Sequence, residues 1–153
     1  MTMIEPTSSA SSLPVSRKIV CAVYGAISLT ALVATWSQNL AYIHQPAGVM
    51  ANFLTDAKVN PASRSLTADI LLFALAATIM MVLEARKHGV KWVWLYIVGG
   101  LTIAVSVTFP LFLIAREIRL GSSDSPRLRN VDTILLTVLA ATTLGLTLWV
   151  DAG

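Results

Sequence analysis

Asp69 stands three residues into Leu66–Leu83, an apolar stretch with no other charged residue. A carboxylate at that depth in hydrocarbon costs on the order of a few kcal/mol unless it is paired or reaches the interface. Arg116 and Glu117 close a second apolar stretch, and Asp132 opens a third. If each stretch crosses a membrane as one straight helix, all four residues arrive on the same side. An Asp69–Arg116 ion pair with Glu117 and Asp132 nearby is then the most economical arrangement. Such a cluster either fixes helix packing or lines a polar pocket for a ligand or a proton.

A second set of charges lies at the other end of the Asp69 stretch. Glu84 is followed by Lys87 three residues on and His88 four residues on, the spacing of pairs on one helix surface. With Arg86 they read as a solvated cluster at the membrane interface. In the next stretch Gly99, Thr102, Ser106 and Pro110 recur at spacings of three and four, so on a straight helix they share a face. Pro110 cannot donate to the carbonyl of Ser106, which predicts a kink there. The small residues favour close helix approach, and a kink would alternatively open a cavity toward Arg116 and Glu117.

Several chemistries are unsupported. Cys21 is the single cysteine, so neither an intramolecular disulfide nor a Cys/His zinc site can be built. His44 and His88 are expected on opposite sides of the membrane, which leaves no pair for a haem inside the bundle. No lysine lies mid-stretch to form a retinal Schiff base. No catalytic or nucleotide motif is present, and no cofactor or metal is expected. The net charge of +3 does not point to nucleic acid, because the basic residues sit at the ends of apolar runs, where lipid headgroups and topology account for them.

The elements that must position these residues follow from composition. Of 153 residues, 56% are hydrophobic and 12% charged, about half the charge a soluble domain carries. The apolar residues come in blocks of about twenty, the length a helix needs to cross roughly 30 Å of hydrocarbon, without the short alternating segments of a barrel. The chain therefore reads as an all-α integral membrane protein, a four-helix bundle with spans near 19–37, 66–83, 92–115 and 131–150. Residues 1–18 read as a disordered tail, and 19–153 as one membrane domain. The first apolar run is longer than the core of a signal peptide and lacks a clear cleavage site, so it reads as an uncleaved helix.

Between Asn39 and Asn60, apolar residues at helical spacing predict a short amphipathic helix in the interface. Asn60-Pro61 is a helix start, Gly89 and Gly121 are helix stops, and Asn130 is placed to cap the last helix. Trp92, Trp94 and Tyr96 read as an interfacial aromatic belt. Ala22/Ala26 and Ala141/Gly145 offer further small-residue packing faces. Four straight spans put five basic residues on the side of the N-terminus, the second turn and the C-terminus, and six on the other. That count is undecided, and the weight of the first helix and the short second turn favours both termini in the cytoplasm.

The stretch from about Tyr24 to Arg119 resembles an uncharacterised bacterial family of small membrane proteins, domain of unknown function 2834. The resemblance rests on Asn60-Pro61 with Asp69 after the long first loop, and on Glu84-Ala85-Arg86-Lys87-His88-Gly89 before Trp94-Leu95-Tyr96. Its most specific part is Pro110-Leu111-Phe112-Leu113 followed by Arg116-Glu117. It implies three spans with the N-terminus and the basic turn inside the cell, in the plasma membrane. The fourth helix, after Ser122, departs from that pattern, and the resemblance implies no activity. Function is therefore expected to be that of an accessory or structural subunit of a membrane complex, binding protein partners, lipid or a second copy of itself. The alternatives are a small ion-coupled transporter, or a membrane enzyme acting on an isoprenoid or lipid through Asp69 and Glu117.

Overall fold

The computed structural model describes residues 13–43, 48–121 and 129–152, which are helical apart from short turns. The chain forms α1 (Val15–Ile43), α2 (Val49–Asp56), α3 (Pro61–His88), α4 (Val93–Gly99), a π-helical turn (Gly100–Ala104), α5 (Val105–Leu120) and α6 (Asn130–Asp151). Four helical stretches are long and apolar enough to cross a membrane: Val15–Ile43, Pro61–His88, Val93–Leu120 and Asn130–Asp151. Residues 1–12 of the expected tail lie outside the described residues, as does His44. Residues 15–18 are already helical, because the Pro14 carbonyl accepts from the amides of Arg17 and Lys18 and starts α1 there.

Local sequence explains most helix ends. At α3 the Asn60 side chain accepts from the Ser63 amide at 2.8 Å, the Ser63 hydroxyl accepts from the Asn60 amide, and Pro61 fills the first helical position. Gly89 closes α3 at φ 67°, in the left-handed region that costs glycine least. Asn130 is not a cap but the first residue of α6. Asp132 instead accepts from the Arg129 amide at 3.1 Å, satisfying a donor at the positive end of the helix. In the first loop α2 lies against the end of α1. Tyr42 packs edge-on to Phe53, with ring centroids 5.9 Å apart, and donates to the Asp56 carboxylate at 2.8 Å.

The third apolar stretch is a hairpin. Ala104 is extended (φ −179°, ψ 140°), and α5 folds back along α4 and the π-helical turn. A Cβ built on Gly99 would lie 3.0 Å from Thr108 Cγ2, and one on Gly100 would lie 3.1 Å from Thr108 Oγ1. Tyr96 and Phe112 meet edge-on with centroids 5.8 Å apart. On a straight helix those sixteen residues would separate the rings by about 24 Å. The two glycines ease this approach, since even a Cβ at either position would require the Thr108 side chain to give by a few tenths of an ångström. The break thus falls at Ala104 and not at Pro110. Pro110 is buried in the second turn of α5, where it removes only the bond to the Ser106 carbonyl. The face expected from Gly99, Thr102, Ser106 and Pro110 does not form: Thr102 and Ser106 are exposed, while Gly99 faces Thr108.

Packing concentrates around the hairpin. Met81, Ala85, Val90, Val93, Ile97 and Phe112 form the core where α3, α4 and α5 meet, and Phe112 has no exposed surface. On its other side α5 runs antiparallel to α1, with Arg17 beside Glu117 at one end and the Ser28 hydroxyl donating to the Val107 carbonyl at 2.9 Å further along. The inward side of α1 is a stripe of Arg17, Cys21, Tyr24, Ser28, Ala31 and Thr35, all buried or half-buried. Ala22 and Ala26, expected to pack, are exposed, as are Ala141 and Gly145.

Because the hairpin returns to the side it left, the ends of the elements sort differently than four straight spans require. The start of α1 and the ends of α3 and α5 lie together at what is called below the Arg17 end. The last residue of α6 lies at the opposite end, where Asp151 accepts from Ser37 at 2.9 Å and from Gln38 at 2.7 Å. Val15, at the start of α1, and Asp151, at the end of α6, therefore lie at opposite ends of the described bundle, where four straight spans would bring them together. Of the nine basic residues described from Arg17 to Arg119, Arg17, Lys18, Arg86, Lys87, Lys91, Arg116 and Arg119 belong to the Arg17 end, and Lys58 and Arg64 to the other. Along α6, every residue from Asn130 to Leu146 is exposed.

Candidate functional site

The antiparallel register of α1 and α5 brings Arg17, two residues into α1, against Glu117, in the last turn of α5. The Arg17 side chain is buried (4% exposed) and its Nη1 donates to Glu117 Oε2 at 2.8 Å. The other Glu117 oxygen accepts from Arg116 Nη1 at 3.0 Å. Arg116 Nε in turn donates to Glu84 Oε2, near the end of α3. His88, one turn further along α3, holds its Nε2 3.3 Å from the same Glu84 oxygen.

Five ionisable side chains from three helices thus form one chain of contacts, Arg17–Glu117–Arg116–Glu84–His88. Each carboxylate meets two basic groups. A charge leaving water for a half-buried site is tolerated only with such partners, because the attraction of the pair must offset lost hydration. The same coupling makes the network a clasp: neither α1, α3 nor α5 can shift along its neighbour without separating an ion pair.

The structure regroups the residues singled out from sequence. It joins Arg116 and Glu117 to Glu84 and His88, two pairs expected at opposite faces, because the hairpin brings the end of α5 back to the end of α3. Arg86 and Lys87 are exposed beside this network. The expected Asp69–Arg116 pair does not form. Asp69 lies in the first half of α3, toward the end bearing Asp151, and is exposed. Asp132 caps α6 and takes no part in the network.

Arg17 is the member that sequence reading misses, since it falls in the stretch 1–18 that reads as a tail ahead of the first apolar run. A signal was there: Arg17, Cys21, Tyr24, Ser28, Ala31 and Thr35 alternate spacings of four and three, placing polar and small residues on one stripe of an otherwise apolar helix. In a membrane such a stripe faces protein, since lipid offers its polar atoms no partner.

The fold and the network together define a small multi-pass helical membrane protein clasped by ion pairs. The family model described as proteins of unknown function, DUF2834, matches residues 23–118. The chain therefore belongs to that family, with α6 added beyond the matched region. No curated protein and no solved structure matches the chain.

Proposed function

We propose that this protein is an accessory or structural subunit of a membrane complex, a bundle that binds protein partners and lipid rather than one that transforms a substrate. The observation that carries the reading is the contrast between α6 and the rest. Arg17, Glu84, Arg116 and Glu117 hold α1, α3 and α5 to one another, whereas α6 exposes every residue from Asn130 to Leu146 and touches the bundle near Asp151. A helix so placed gains its packing from lipid or from another chain, and in a membrane close helix packing is what drives association. Purification of the full chain in mild detergent should recover it in a stable complex with other membrane subunits or with itself. Recovery as a lone monomer under those conditions would overturn the reading.

The same proposal seats the bundle in the bacterial plasma membrane with its Arg17 end in the cytoplasm. The support is the seven-to-two bias of the basic residues from Arg17 to Arg119 toward that end, which straight spans would have left undecided. Val93–Leu120 is then a re-entrant helical hairpin entering from the cytoplasmic side, and Asp151 lies outside.

A second reading, an ion-coupled carrier or a membrane enzyme acting on an isoprenoid or lipid, is favoured by one feature. Asp69 is an exposed carboxylate inside an apolar helix, and such groups recur along ion and proton pathways. Transport or turnover in proteoliposomes that survives Asp69→Asn unchanged would remove it.

A further inference from the structure

The turn between α3 and α4 shapes an open concavity of about 750 Å³. Its floor is apolar, from Ala85, Val90 and Val93; its walls carry Trp92, Trp94 and Leu95; and Arg86 and Lys91 are its charged lining residues. Glu84, the acid nearest in sequence, is engaged by Arg116 and His88, so it does not cancel those two cations.

Trp92 is the one described non-glycine residue with positive φ (63°), and it exposes 78% of its surface. A bulky side chain in that region costs on the order of a helix-capping interaction, and such conformations persist where the surroundings hold them in place. Here the conformation sets an indole at the rim of the concavity instead of into the core. An apolar floor, two indoles and two cations that no ion pair engages among the described residues, at the depth where a helix leaves the membrane, match an amphiphile with a negative headgroup.

The geometry points to a binding site for an anionic phospholipid in this turn: Arg86 and Lys91 hold the headgroup phosphate, and Trp92, Trp94 and Leu95 flank the glycerol and the first methylenes of the acyl chains. The site rests on the reading of the bundle as a lipid- and protein-binding scaffold, and it names the lipid class that the scaffold takes. It also accounts for a feature that the clasp does not use, since Arg86 and Lys91 are both exposed.

The test is native mass spectrometry of the full chain in mild detergent, titrated with phosphatidylglycerol or with phosphatidylcholine of the same acyl chains. Phosphatidylglycerol should be retained on the order of tenfold more strongly. Arg86→Gln combined with Lys91→Gln should bring it down to the phosphatidylcholine level, while Lys58→Gln combined with Arg64→Gln at the other end leaves retention unchanged. Both pairs are exposed, so neither should alter the melting temperature, which is measured alongside. Equal retention of the two lipids by the unaltered chain, or undiminished phosphatidylglycerol retention in the Arg86/Lys91 variant, would overturn the site. The measurement is made on the isolated chain, so its outcome is independent of whether a protein partner copurifies.

Discussion

At the scale of single residues, Glu117 is the joint of the clasp, because it touches both Arg17 and Arg116. Glu117→Gln leaves the buried Arg17 guanidinium without its carboxylate partner at 2.8 Å. Removing one member of a buried pair typically costs about 3–5 kcal/mol, and the partial exposure of Glu117 moves the expectation to about 2–3 kcal/mol. Reversible unfolding in detergent micelles should show that loss, and the combined change Arg17→Met and Glu117→Leu should recover most of it, because apolar replacement of the whole pair leaves no orphaned charge. A single variant as stable as the unaltered protein would mean that the pair is not structural. The members of this clasp were legible as costly charges but not as partners. Sequence spacing identifies i, i+4 neighbours such as Glu84 and His88 on one helix. It carries no information about contacts a hundred residues apart, such as Arg17 with Glu117.

At the scale of elements, the hairpin is eased by Gly99 and Gly100, which let Thr108 approach to where any Cβ would stand 3.0–3.1 Å away. Labels at two exposed positions, Leu95 on α4 and Ile118 on α5, report the fold of this stretch directly. In the hairpin, double electron–electron resonance should give a separation on the order of 15–20 Å, whereas a straight helix would hold the two backbones about 35 Å apart. Gly100→Leu should shift the distribution toward the longer distance, since its side chain must displace Thr108 and with it the Tyr96–Phe112 contact. A single long distance in the unaltered chain would refute the hairpin. Hydropathy could not have revealed the break, because Val93–Leu120 is as apolar as a true span and carries no charge at its midpoint. Pro110, the breaker visible in the sequence, lies in the second turn of α5, beyond the actual reversal at Ala104. Its cost is small near the start of a helix, and the start lies at Val105 only because the chain has already reversed.

At the scale of the whole molecule, the hairpin decides which side each later segment occupies. With Cys21 replaced by Ser, single cysteines at Lys91 and Ala152 can be probed with a membrane-impermeant maleimide on intact cells whose outer membrane has been opened. Ala152→Cys should label from outside, and Lys91→Cys only after the inner membrane is permeabilised. Labelling of both from one side would restore four straight crossings.

What the sequence by itself determined is everything that depends on short-range physics. Its apolar runs of about twenty residues require membrane-length helices, and Asn60-Pro61, Gly89 and Gly121 mark where several of them begin and end. The amphipathic spacing after Gly48 yields α2. Only the tertiary structure decided the path of the third apolar stretch, the regrouping of Arg116 and Glu117 with Glu84 and His88, and the separation of Asp69 from all of them. The physical reason is that hydrophobicity measures how favourably a segment sits in lipid and is blind to its direction. Direction is set at Gly99, Gly100 and Ala104 by the close packing of α5 on α4, a contact whose two halves are specified by different parts of the chain.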